Sequence, residues 1–141
     1  MRGTALMYLL DTNACIRILN DSSPKLTKRF RRTAPNQCFL CSVVKSELLY
    51  GARNSQKAVS NLRVLETFFD PMESLPFDDF AAEKAGIIRA ELKRAGTPIG
   101  PNDLLIASIA LAHEKILVTN NTREFGRIAL LKLEDWEAQI G

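Results

Sequence analysis

A single histidine, His113, occurs among 141 residues, and it closes an apolar helical run instead of flanking a serine or cysteine. Its isolation argues against Ser-His-Asp and Cys-His nucleophilic catalysis, both of which need an imidazole base. Cysteine is scarce too: Cys15, Cys38 and Cys41 make an odd count, all in apolar surroundings. Cys38 and Cys41 have the C-x-x-C spacing, but residues three apart on a strand point to opposite faces, and no second pair exists to complete a zinc site. They read as buried, reduced, structural thiols. No segment reaches the roughly 18 uninterrupted apolar residues of a membrane span. The opening MRGTALMYLL is too short for a signal peptide before Asp11 interrupts it. The expectation is a cytoplasmic protein with no membrane association. A glycine-rich phosphate loop is also missing, since GTPIGP lacks the Walker spacing. Repeats, low-complexity tracts and interdomain linkers are absent, so residues 1–141 read as one domain, long enough for a proper core.

What is present is an alternation of short apolar runs and helical patterns. LMYLL at 6–10 reads as a first buried strand, and Thr12 or Asn13 is placed to cap a helix over 13–20. A helix starts at Pro24 and runs to 33. CFLCS at 38–42 is a second strand, followed by a helix over 43–53. Apolar residues at 58, 59, 62, 65, 68 and 69 give a helical stripe within 55–70. SLPF at 74–77 is a third strand, and Asp78 or Asp79 caps a helix that Gly96 closes. A helix over 101–113 begins with Pro101, KILVT at 115–119 is a fourth strand, a short turn or helix follows at 121–127, and a last strand lies near 130–134. This alternation implies an α/β fold: a mostly parallel sheet of four to five strands between two helical layers. Trp136 reads as packing against the sheet edge.

Three carboxylates sit at junctions in this pattern. Asp11 ends the first apolar run, Glu47 follows the second strand in SVVKSELLYG, and Asp103 follows Pro101 in GTPIGPNDLLIASIA. In parallel α/β folds, ligands bind outside the carboxyl ends of the strands, where the direction of winding reverses. Glu47 and Asp103, read as first-turn residues of their helices, can share that edge with Asp11. Converging carboxylates repel unless a cation or a proton compensates them. Oxygen-only ligands suit hard cations, and magnesium without a histidine base is typical of phosphate chemistry. Two other families with an acid after the first strand are excluded. Asp11 is followed by Thr12 and Asn13 where a haloacid dehalogenase needs a second aspartate, and the acid and lysine positions of a receiver domain are not in place.

Net charge is a mild +3, but Lys25, Lys28, Arg29, Arg31 and Arg32 cluster with no acid among them. The cluster is either a solvated helix face or, beside an acidic cleft, a phosphate-binding rim.

LLDTN with Asp11, SELLYG with Glu47, GTPIGPNDLLIASIA with Asp103 and LVTNNTREFGRI at 117–128 occur in that order. Together they closely resemble the PIN-domain ribonucleases, and within them the toxins of VapBC type II toxin–antitoxin systems. The resemblance runs from about Tyr8 to Trp136, and the closing LEDWEAQIG is similar to the usual end of these toxins. It implies an α/β/α sandwich and an endoribonuclease dependent on Mg2+ or Mn2+. Asp11, Glu47 and Asp103 would bind the metal, and activated water would leave a 5′-phosphate and a 3′-hydroxyl. It also implies a toxin homodimer with a VapB-type antitoxin as partner, an antitoxin arginine or lysine entering the acidic site, and the anticodon stem-loop of initiator tRNA as substrate. One departure stands out: Asn121 occupies a position where many PIN domains carry a fourth acid. Asn121 either offers a neutral oxygen or shapes the turn, and Glu124 either restores the missing charge or is a solvated acid. Thr12 either bonds a ligand water or caps its helix, and Asn13 shares that ambiguity. Two readings compete with the toxin: a PIN nuclease of housekeeping RNA processing, and a weakly catalytic nucleic-acid-binding module.

Overall fold

A computed structural model describes residues 6–138. The last three residues of the closing LEDWEAQIG motif lie outside that range. The elements follow the order β1 (Tyr8–Leu10), α1 (Thr12–Asn20), α2 (Pro24–Arg32), a 3-10 turn, β2 (Cys38–Cys41), α3 (Ser42–Arg53), α4 (Ala58–Phe69), β3 (Glu73–Leu75), α5 (Asp79–Arg94), α6 (Pro101–Ala112), β4 (Ile116–Val118), α7 (Thr122–Phe125) and β5 (Leu133–Glu134).

All strand pairings are parallel, in the order β3-β2-β1-β4-β5. The central strands are apolar at every position because helices cover both faces. Leu9, Leu10, Leu40 and Leu117 are fully buried. Crossovers carry the chain from β1 outward to β2 and β3, then back across β1 to β4 and β5. The helices separate accordingly: α1 packs on α2 and α3, α3 on α4, and α5 on α6. Winding therefore reverses between β1 and β4, the place where parallel α/β folds form a ligand crevice at the carboxyl ends of the strands. The backbone N–H of Asp11 extends that pair by donating to the carbonyl of Val118 at 3.1 Å.

Helix α6 is buried at Leu104 and continuously from Ile106 to Ala110, which explains its unbroken apolar run. His113 caps its end, as expected, and Nε2 lies 3.3 Å from Asp78 Oδ2 at the start of α5. Trp136 packs edge-on against Tyr8 with ring centroids 5.1 Å apart, in agreement with its sequence reading. The three cysteines are free and buried. Burial pushes the Cys38 thiol up to about 11 and the Cys15 thiol well above its usual range, so neither is a nucleophile at neutral pH.

Several boundaries differ from the sequence reading. The fourth helix starts at Ala58, not at 55, because Ser55 is held in a turn: its hydroxyl donates to the Ala52 carbonyl at 2.6 Å and accepts from the Asn61 amide at 2.9 Å. Neither Thr12 nor Asn13 caps α1. Asp11 does, accepting from the Ala14 N–H at 2.7 Å. Glu47 lies in the second turn of α3 instead of the first, since the helix begins at Ser42, five residues before it.

Candidate active site

Asp11 lies at the end of β1, on one side of the crevice. It is 5% exposed, and its carboxylate caps α1. Burial raises its pKa above the usual value, and the nearby Asp103 adds to that rise. The Thr119 hydroxyl and the Ala14 N–H act in the opposite sense. Thr119, just past β4, accepts from the Asn121 N–H at 2.9 Å, which leaves its own proton for Asp11. Neither strand-end pattern nor motif had singled out Thr119, although its place at the end of KILVT is the structural counterpart of Asp11 at the end of LMYLL.

Asp103 lies in the first turn of α6 and is half-buried. Desolvation raises its pKa, and the charges of Glu47 and Glu124 raise it further. Asp103 thus lies near Asp11, Glu47 and Glu124 together. Glu124 comes from the short α7, and Asn121 donates its amide to Glu124 Oε2 at 3.2 Å. The Asn121 side chain does not cap α7. Gly126 lets that turn close: a Cβ there would meet the Thr122 carbonyl oxygen at 2.5 Å. Glu47 receives the Thr12 hydroxyl on Oε1 and the Asn102 amide on Oε2.

The structure thus brings Asp11, Glu47, Asp103 and Glu124 to one edge of the sheet, with Thr12 and Asn121 among them. Among the described residues, none of these four acids forms an ion pair; the pairs that exist are Arg17–Glu137, Arg29–Glu134 and His113–Asp78. Nor do any three acidic, histidine or cysteine side chains among the described residues stand close enough together to form a ready metal-holding group. Glu47 and Glu124 are instead turned toward their neutral donors. The donor chemistry still fits a hard divalent cation. Every ligand atom on offer is oxygen, and no ion pair among the described residues neutralises the charge. Magnesium also keeps several waters while taking only one or two carboxylates directly.

Asn13 is exposed, and its side chain has no hydrogen bond among the described residues. The basic cluster is not brought to the carboxylates; the cation that acts on Asp11 is Arg17. Arg29 is committed elsewhere, with its guanidinium 4.7 Å from the Trp136 ring centroid and bonded to Tyr8 and Glu134. Lys25, Lys28 and Arg32 line a separate groove beside Trp136, and Arg31 lies on the next face of α2 with Lys25 and Lys28.

Residues 8–131 match the family model described as the PIN domain. The chain belongs to the PIN-domain family. Within it, this PIN domain is 44% identical over 131 residues to the tRNA(fMet)-specific endonuclease VapC of Shigella flexneri, spanning 93% of this chain and 98% of that protein. It is 38% identical to Ribonuclease VapC2 of Rickettsia felis over 94% of this chain and 99% of that one. The structure of DNA-bound VapBC from Salmonella typhimurium superposes with a TM-score of 0.87 at 41% identity, covering 94% of this chain and 99% of that chain. This PIN domain is therefore a member of the VapC group.

Uncompensated charge has a measurable consequence. A carboxyl whose pKa is higher in the folded than in the unfolded chain stabilises the fold in its protonated form. That contribution is complete below the ordinary value of 3.8 and is lost as pH rises through the raised value. Asp103→Asn is permanently neutral. It is expected to raise the melting temperature of the metal-free protein at neutral pH by a few degrees, on the order of 1 kcal/mol. The gap should shrink as pH falls through that window. A variant that melts lower than the wild type at pH 7 contradicts the repulsion.

Proposed function

We propose that this PIN domain is a metal-dependent endoribonuclease and the toxin of a toxin–antitoxin pair. The observation that carries the reading is the convergence of Asp11, Glu47, Asp103 and Glu124, unpaired with any cation, at the point where the sheet reverses its winding. Asp11 and Asp103, the two that desolvation acts on most clearly, would hold the cation directly. Glu47 and Glu124 would reach it through water. When bound, Mg2+ or Mn2+ would supply positive charge for the phosphodiester and lower the pKa of a water, so that it can give up a proton and attack phosphorus. The chain's own part is positional. Asp11 is fixed by its capping bond and by Thr119, and its burial keeps bulk water from screening the site. Glu47 and Glu124, both near Asp103, remain hydrogen-bond acceptors able to orient a water. The absence of a histidine near the site fits this scheme, which needs no imidazole base.

The names of the relatives point to the substrate class. Since the Shigella flexneri protein is named for tRNA(fMet), initiator tRNA is the substrate we propose here. The partner is a VapB-type antitoxin, in line with the VapBC complexes among the structural neighbours. An apolar groove lined by Ile16, Leu48, Val64 and Leu65 runs up to Glu47, and an antitoxin segment lying there could place a basic side chain among the unpaired acids. The toxin itself is expected as a homodimer, which light scattering of the co-expressed pair reads directly.

Asp11→Asn, Glu47→Gln and Asp103→Asn should each abolish RNA cleavage while leaving a folded protein, because each removes charge and keeps shape. A chelator should stop the wild-type enzyme, and magnesium or manganese should restore it. Cleavage at the wild-type rate by any of the three, or in excess chelator, rules out the shared metal site.

The α2 cluster, which lines grooves of its own, would bind other phosphates of a long RNA. Replacing Lys25, Lys28 and Arg32 with Gln should flatten the log–log salt dependence of binding by roughly 0.7 per lost contact to single-stranded RNA. An unchanged slope assigns the cluster to solvent.

A further inference from the structure

Glu47 is held from two sides by neutral donors. Its Oε1 accepts from the Thr12 hydroxyl and its Oε2 from the Asn102 amide at 3.3 Å. Thr12 follows Asp11 in the chain, and Asn102 precedes Asp103. The two aspartates therefore bring their neighbours along on α1 and α6, and those neighbours reach across to the glutamate on α3. The chemistry of the donors is the informative part. A lysine or arginine here would neutralise Glu47 and occupy it as an ion pair. A hydroxyl and a primary amide restrict its rotamer, leave its charge intact, and leave each oxygen a further lone pair. A carboxylate so held is preset to accept: from water, or toward a cation.

Asn102 also has no other task that the structure reveals. It is exposed at the second position of α6, where Gly100 and Pro101 already start the helix, and its amide bonds nothing within α6. Thr12 and Asn121 drew notice from their motifs. Asn102 did not, because its partner is 55 residues away in sequence.

Building on the metal-dependent reading above, we infer that Asn102 is a positioning residue of the reaction: its amide holds Glu47 in the orientation that serves the cation and the attacking water, and it acts through Glu47 without touching RNA. Removing an outer-shell partner that orients a metal site typically costs about 10–100-fold in metal affinity or activity. Asn102→Ala removes the donor. Asn102→Asp keeps the shape but sets a like charge against Glu47, and should do more harm.

The test is calorimetric titration of Mn2+ into the wild type, Asn102→Ala, Asn102→Asp, Glu47→Ala and the Asn102→Ala/Glu47→Ala double variant, with kcat and KM measured on the forms that cleave. Asn102→Ala is expected to weaken Mn2+ binding about 10–100-fold and to lower kcat with KM for RNA unchanged. In the Glu47→Ala background the same change should alter Mn2+ affinity no further, since nothing remains for the amide to act through. Wild-type Mn2+ affinity in Asn102→Ala overturns the inference. So does an equal loss with and without the Glu47 carboxylate, and so does a rise in KM alone, which would put Asn102 on the RNA. If the wild type itself binds no Mn2+, the metal-dependent reading falls first and this inference falls with it.

Discussion

At the end of the central strand, Asp11 gives up nearly all its water and gains one backbone N–H and the Thr119 hydroxyl in exchange. Neither donor carries a full charge. The same carboxylate caps α1, so the helix cannot form as it does without placing a buried negative group at the mouth of the crevice. Capping is worth roughly 1 kcal/mol and is kept only while the side chain is there. The fold thus ties a local stabilising bond to a longer-range electrostatic penalty, and both meet at one atom group. Asp103 adds to the penalty from the other side, across the point where the sheet reverses its winding. A site of this kind is stabilised by whatever positive charge it admits, a divalent ion and a basic side chain alike.

The sheet supplies the placement. Asp11 and Thr119 follow the carboxyl ends of β1 and β4, which are neighbours only because the chain crosses back over β1 after β3. Glu47 and Asp103 are carried in by two helices, α3 and α6, which touch each other and are joined by the Asn102–Glu47 bond. The four carboxylates therefore owe their meeting to topology. No short segment of the sequence contains them.

Much of this was legible in the residues. The buried strands showed as continuous apolar runs, and α6 showed as an apolar helix opening on Pro101. Asp11 and Asp103 were legible because each interrupts or begins such a run. The misplacements have physical causes. Asp11 displaced Thr12 and Asn13 as the cap because its carboxylate reaches the Ala14 N–H directly. Glu47 falls in the second turn of α3 because the helix begins as soon as β2 ends, five residues before it. What could not be read was cross-chain bonding. The Asn102–Glu47 bond spans 55 positions, and Arg29 looked like part of a phosphate-binding rim until its stacking on Trp136, more than a hundred residues on, became visible. Charge patterns in sequence say which groups are present, but not which of them the fold has already used.

The central claim is that one divalent cation finds its place between Asp11 and Asp103, with Glu47 and Glu124 around it. Anomalous diffraction at the manganese edge, from crystals grown with Mn2+, tests it most directly. The account predicts a single strong peak within ligand distance, about 2.0–2.2 Å, of a carboxylate oxygen from each of the two aspartates. A well-ordered acidic cleft with no peak, or a peak bound only by residues outside it, would contradict the account.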